Sequence, residues 1–364
     1  MFNEPFYRLA LQYQENLGNQ SIKKLIREFG SAMEIFRQPA KQLHLKGMPR
    51  NVPPLAVTSA MRDKIERELE YMTRFNVECC FYTDECYPKR LKNCTDAPYL
   101  FYYQGNNDFD RAKMLSVVGT RSMNSYGRDA VKKLVSELAP YNVSIVSGLA
   151  FGVDAAAHEL ALDYGLHTIA VMGSGFGHIY PAINRKLAAR IVECGGALIS
   201  EFPYDTLPDR TNFPQRNRII AGMSDATLVA ESARKGGSII TAFIANSYNR
   251  DVFAVPGSLF DPSYEGCHEL IHTNIAAIAC SGSHLADMMG WTEQGTKAVQ
   301  TSLFVTLNEE EELLMNFIRE TGQRSIDEIV TNCPNFTPSR IASILLGLEL
   351  RGVVACLPGK IYRC

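Results

Sequence analysis

Met114 to Gly127 reads MLSVVGTRSMNSYG. The first five residues form a β-branched apolar run, the chain breaks at Gly119-Thr120-Arg121, and Ser125 stands in N-cap position before a helix reaching about Ala139. A strand, a tight turn and a helix follow one another. Such a turn aims backbone N–H groups and the positive end of a helix dipole at one spot, and Arg121 adds a cation there. The spot suits an anion, with phosphate the foremost candidate. The same junction also serves as plain α/β architecture carrying a solvated arginine.

The pattern repeats outward from this stretch. Apolar runs recur at 114–118, 143–146, 168–172, 197–200, 227–230, 252–255 and 276–279, with amphipathic segments between most of them. Runs that are apolar on both faces and alternate with helices predict a mostly parallel sheet covered on both sides. The expected fold class is therefore α/β, a Rossmann-like doubly wound sheet, with ligands bound outside the carboxyl ends of its strands.

The loops at those ends carry the chemistry. SGLAFGVD (147–154) and GSGFGHIYP (173–181) are glycine-rich; the second lacks the G-x-G-x-x-G spacing and has no following acid placed for a ribose, so it is not read as a dinucleotide site. Its glycines suit close approach of a polymer backbone or a neighbouring loop. Residues 209–218 hold Arg210, Phe213, Arg216, Asn217 and Arg218, pairing guanidinium forks for phosphates with an aromatic surface for bases. Structural pairing of Arg216 and Arg218 with Asp225 or Glu231 is the alternative. Arg234 and Lys235 flank a further glycine turn at a helix start. Asp154 and His158 share a helix face, as a catalytic pair or as a brace.

Composition limits the rest. The 364 residues are 46% hydrophobic and 21% charged, with a net charge of −2, which excludes a protein that coats duplex DNA by bulk charge. The ten cysteines form no C-x-x-C, and Cys79, Cys80, Cys86 and Cys94 lack zinc spacing. No apolar window approaches a membrane span and MFNEPFYRLA lacks a secretion-signal build, so a cytoplasmic protein with no membrane contact is expected. Neither a nucleophile elbow nor a P-loop lysine motif occurs, which argues against a hydrolase or an ATPase.

GTRSMNSYG, SGLAFGVDAAAH, GSGFGHIYP, FPQRNRIIAGMSD, ESARKGGSIITA, DVFAVPGS and GCHELIHTNIAAIA, in this order, resemble the DNA-processing protein A (DprA, also called Smf) family. The resemblance is dense over about residues 80–290. It implies a non-enzymatic single-stranded DNA binding protein of bacterial natural transformation, with no cofactor, dimeric through its Rossmann-like domain, that protects incoming strands and loads the RecA recombinase. It also implies a phosphate pocket at Gly119, Thr120 and Arg121, strand guidance by Gly148, Arg210, Phe213, Arg216, Asn217 and Arg218, and a contact from Lys235. His268, where the family more often has Asn, and Gly237, where it more often has Ser, depart from the pattern. A nucleotide-processing enzyme of related build, taking a nucleoside monophosphate and using Glu231 as an acid, is the competing reading.

The flanks read as separate modules. Residues 1–78 predict helices at 6–17, 21–29, 33–36 and 59–75, a helix-hairpin-helix or SAM-like bundle facing DNA phosphates or a protein. Residues 79–291 form the Rossmann-like domain, entered through an extended aromatic lead-in at 81–105, and 292–302 form a linker. Residues 303–364 predict a winged helix, with helices after Asn308, at 325–330 and at 338–351, and a wing of 353–357 with 360–362. Its acids exceed its bases, which favours a partner-binding or regulatory role over duplex recognition.

Overall fold

The structure is a computed structural model that describes residues 3–293, 308–319, 323–333, 336–350, 353–357 and 361–363. It divides into two compact units, Met1–Gln294 and Gly295–Cys364. The expected linker lies almost wholly outside the described residues.

Five helices open the first unit: α1 (Glu4–Gln12), α2 (Asn19–Phe29), α3 (Ala32–Arg37), α4 (Ala40–Leu45) and α5 (Ser59–Phe75). Local chemistry sets their ends. Ser31 Oγ accepts from Glu34 N at 3.1 Å, Thr58 Oγ1 accepts from Met61 N at 3.2 Å, and α2 stops at Gly30, whose φ is 84°. α1 ends earlier than its apolar pattern suggests. α4, with Leu43 as its one fully buried side chain, carries no legible periodicity.

The nine-stranded sheet follows: β1 (Glu78–Phe81), β2 (Leu100–Gly105), β3 (Met114–Val118), β4 (Ser144–Ser147), β5 (Thr168–Met172), β6 (Ala197–Ser200), β7 (Ala226–Val229), β8 (Asp251–Ala254) and β9 (Ala277–Ile278), in the order β1-β2-β6-β5-β4-β3-β7-β8-β9. β6 through β9 in that order are parallel; β1 and β2 are antiparallel additions to the β6 edge. β3, β4 and β5 are buried at every residue, as a sheet covered on both faces requires. The expected doubly wound sheet is present; the aromatic lead-in at 81–105 starts where β1 ends and contains a short helix at Lys89–Lys92 before the second antiparallel strand, β2.

The connections are α6 (Lys89–Lys92), α7 (Ser125–Leu138), α8 (Val153–Asp163), α9 (Arg185–Glu193), α10 (Asn212–Met223), α11 (Gly237–Ser247), α12 (Glu265–His272) and α13 (Gly282–Met288). The cap of α7 is Asn124, whose Oδ1 accepts from Gly127 N at 2.8 Å, and Ser125 is the first helical residue; an amide one position earlier reaches the same orphan donor better. From β3 the chain steps through β4, β5 and β6 in one direction, then returns to place β7 on the other side of β3. The carboxyl ends of β3 and β7 thus flank the point where the winding reverses, which is where open α/β sheets bind ligands.

The N-terminal helices share a core with the sheet. Phe6, Leu9, Ile22, Leu25, Ile35 and Ile65 belong to one cluster with Phe81, Leu100 and Tyr102 of β1 and β2 and with Ala170, Met172 and Leu198 of β5 and β6. Among the described residues no helix is long and apolar enough to cross a membrane.

The second unit comprises α14 (Glu309–Arg319), β10 (Gln323–Ser325), α15 (Ile326–Asn332), α16 (Pro338–Leu350), β11 (Ala355–Leu357) and β12 (Ile361–Arg363), with sheet order β10-β12-β11. Asn308 caps α14 as expected, its Oδ1 accepting from Glu311 N at 2.9 Å. Leu314, Met315, Ile318, Ile341, Ile344, Leu345 and Leu348 form its core. Leu313 is 61% exposed, whereas Met315 lies on the buried side of α14. The tip of the wing lies outside the described residues.

Candidate nucleic-acid interface

The turn after β3 is stitched on both sides. Thr120 N donates to Glu231 O at 2.8 Å, and Val153 N at the start of α8 donates to Thr120 O at 3.1 Å. Gly152 has φ 73°, and a Cβ there would lie 2.8 Å from the Arg121 carbonyl, so a side chain would push the turn away. Held in this way, Arg121 reaches outward with its guanidinium 4.6 Å above the centre of the Phe213 ring.

A cavity of about 570 Å³ opens beside this pair, lined by Gly119, Thr120 and Arg121, by Arg210, Phe213, Arg216 and Asn217, and by Gly236, Gly237 and Ser238. Three arginines and one carboxylate, Asp154, line it. No side chain caps the start of α11, so its first N–H groups and helix dipole add to the positive field. The wall therefore attracts an anion from both strand ends at the reversal point.

Helical spacing explains which residues of α10 meet here. Phe213, Arg216 and Asn217 lie three and four residues apart on one face, whereas Arg218 is rotated away. Arg218 forms an ion pair with Glu201 and lines a different depression with Asn19, Asp96 and Gln215. Both arginines are thus paired, but with other partners than expected, Arg218 with Glu201 and Arg216 with Asp154; Asp225 binds Arg90 at 2.6 Å. Lys235 is exposed on the turn before α11 and does not line the cavity.

Arg216 is only 3% exposed and forms the cavity floor. Its Nη1 donates to Val171 O at 2.8 Å and sits 4.0 Å from Asp154 Oδ2, while Nε has no partner. Burial pulls its pKa down to about 10 against the opposing pull of Asp154, so it stays charged at neutral pH. Burial likewise raises Asp154, with Arg216 counteracting. Gly148 lies over this pair: a Cβ there would fall inside the guanidinium and 2.5 Å from Asp154 Oδ2. The lack of a side chain at Gly148 makes room for Arg216.

His158 shares no hydrogen bond with Asp154. Its Nδ1 pairs with Thr168 Oγ1 at 2.7 Å, and burial drives its pKa down to about 3, so it is a neutral brace between α8 and β5. Glu231 is fully buried and faces away from the cavity; its carboxylate accepts from Asn124 N at 3.1 Å and from the Tyr264 hydroxyl at 3.3 Å. The acid that the nucleotide-processing reading needs is therefore already bound as a bracket for the turn after β3. Tyr180 is a residue the sequence reading did not single out. Its ring lies 6.0 Å from that of Phe213 and is 41% exposed, and its place in GSGFGHIYP, directly before Pro181, was the available signal.

The family model for DNA recombination-mediator protein A matches residues 78–290, and the model for the DprA winged helix domain matches 305–360. Protein Smf of Escherichia coli is 33% identical over 335 residues, covering 89% of both chains. DNA processing protein DprA of Streptococcus pneumoniae is 41% identical over 204 residues, 56% of this chain and 72% of the relative. The X-ray structure of DNA processing protein A from Streptococcus pneumoniae aligns with TM-score 0.67 at 31% identity, over 81% of this chain and 100% of that one. A structure of DNA processing protein A from Helicobacter pylori, described for its single-stranded DNA binding mode, aligns with TM-score 0.54 at 27% identity, over 60% and 99%. With two matching models in sequence and a relative aligned along most of its length, the chain belongs to the DNA recombination-mediator protein A (DprA/Smf) family.

Proposed function

We propose that this protein binds single-stranded DNA through the cavity at the β3–β7 reversal point and acts as a recombination mediator in transformation. The observation that carries this reading is the Arg121 guanidinium stacked 4.6 Å over Phe213 at a cavity lined by three arginines. Cations and the uncapped start of α11 suit consecutive phosphates, and Phe213 with Tyr180 offers bases a ring surface that accepts any sequence. Gly119, Thr120, Arg121, Arg210, Phe213, Arg216 and Asn217 form this contact, with Gly148 shaping the floor; Arg218 and Lys235 act from outside the cavity. The protein works in the cytoplasm as a homodimer through its Rossmann-like domain, performs no chemistry on the strand, and delivers it to RecA. Family membership supports the mediator role, and the Helicobacter pylori relative, described for its single-stranded DNA binding mode, supports the ligand.

Fluorescence anisotropy with labelled oligo-dT and its duplex, across a salt series, tests the reading. Wild type is expected to prefer the single strand with a steep salt slope, and Arg121→Ala to lose roughly tenfold in affinity or more with a shallower slope. Equal binding by wild type and Arg121→Ala refutes the pocket. Competition by a free nucleoside monophosphate as strong as that by a strand would favour the nucleotide-processing reading.

A further inference from the structure

The loop from β6 to α10, residues 201–211, is a strap that carries Arg210 of the cavity wall and leads directly into the first turn of α10, where Phe213 stands. Tyr204 is gripped from both sides. Its carbonyl accepts from Gly177 N at 2.8 Å, and two residues on Thr206 O accepts from Gly175 N at 2.9 Å, which ties the strap to the glycine loop after β5. That loop seats Phe213, because a Cβ at Gly173 would lie 2.9 Å from the Phe213 ring.

The other grip comes from the N-terminal helices. Tyr204 N donates to both carboxylate oxygens of Glu68 on α5, at 2.9 and 3.2 Å, and the Tyr204 ring stacks on Tyr71 with centroids 4.4 Å apart and planes 14° apart. Gln12 Nε2 donates to Glu201 O at 2.9 Å, and Asn19 Nδ2 to Glu201 Oε1 at 3.0 Å. Glu68 is 1% exposed and stands on the apolar stripe Met61, Ile65, Glu68, Met72 of its helix. A carboxylate buried in such a stripe is costly unless its acceptors are used, and its acceptors are used on one backbone N–H of the strap.

We infer that Glu68 and Tyr71 are positioning residues for strand binding: by holding Tyr204 they set the strap, and so make the affinity of the cavity dependent on the N-terminal helical segment. This inference rests on the single-strand reading of the cavity. No residue of the N-terminal helices lines the cavity, so their effect on it is indirect.

The test compares Glu68→Leu, Glu68→Gln and Tyr71→Ala in the full chain, using oligo-dT anisotropy and hydrogen exchange at the amides of Tyr204 to Leu207. Glu68→Leu fills the space without an acceptor and is expected to weaken strand binding roughly tenfold while those amides exchange faster. Glu68→Gln keeps an oxygen for Tyr204 N and is expected to restore both readouts to within about twofold of wild type. Tyr71→Ala, at a half-exposed site, gives the same direction of change should Glu68→Leu fail to fold. Unchanged exchange in the strap overturns the inference, whatever the strand does. So does unchanged oligo-dT affinity in Glu68→Leu where Arg121→Ala loses it. If wild type itself binds no strand, the proposed function falls, and the exchange result still decides whether α5 holds the strap.

Discussion

Gly148→Ala tests the floor of the cavity without replacing a charged residue. The added Cβ falls inside the Arg216 guanidinium and 2.5 Å from Asp154 Oδ2. Restoring ordinary contact of roughly 3.5 Å moves the guanidinium by about 2 Å, which breaks its 2.8 Å bond to Val171 O. Losing a charge-assisted hydrogen bond in a buried site costs about 1.5–3 kcal/mol, and the overpacking adds about 1–3 kcal/mol. The gain from a stiffer unfolded chain returns under about 1 kcal/mol, leaving a net loss of about 3 kcal/mol. For a unit of this size the loss lowers the unfolding midpoint by roughly 5–10 °C. Gly237→Ala is the matched control, since nothing lies within 4 Å of a Cβ there. Scanning calorimetry of the three proteins reads the effect, and the double variant Gly148→Ala with Arg216→Met should lose less than the sum of the singles. A Gly148→Ala midpoint within a degree of wild type refutes the packing argument.

Two further outcomes follow from the same geometry. Phe213→Ala should weaken oligo-dT binding by about 1–3 kcal/mol while Phe213→Trp retains it, measured by anisotropy; equal loss in both variants would mean that the ring fills space and stacks no base. Glu68 has a pKa pushed up to about 7, first by burial, against the lowering pull of the Tyr204 N–H and with a smaller rise from Asp205. The folded state therefore holds the proton more tightly than the unfolded chain, so wild type should lose about 3 kcal/mol relative to Glu68→Gln as pH rises from about 4.5 to 7. Urea denaturation across that range checks the sign, and a flat difference between the two proteins contradicts it.

The parallel strands were legible because they are continuous apolar runs, β3, β4 and β5 closed at once by a glycine turn, and their helices because apolar residues recur at helical spacing. β1 and β2 were harder, since Tyr and Phe in that segment fit either an extended lead-in or paired strands, and their partners lie far along the chain. At the site, the cation at Arg121 and the aromatic surface at Phe213 could each be read from residue type, but their meeting 4.6 Å apart did not show. The separation of Arg216 from Arg218 did not, although two positions along a helix turn a side chain by more than half a revolution. Glu68 was hidden in the charged run RDKIERELE, where only its place on the stripe of Ile65 and Met72 set it apart from its neighbours. Glu231 looked like an available acid because nothing in its local sequence shows that Asn124 and Tyr264 already bind it.

The shared core of the N-terminal helices and the sheet governs the order in which the chain matures at the ribosome. Gln12 finds its carbonyl on Glu201, 189 residues later, and the core that α1, α2 and α5 share is completed by β2, β5 and β6. At bacterial-range synthesis speeds of roughly 5–20 residues per second, Gln12 waits about 10–40 s for Glu201. Part of the apolar surface of the nascent N-terminus therefore stays uncovered over that interval, and a pause in translation before β6 lengthens its exposure.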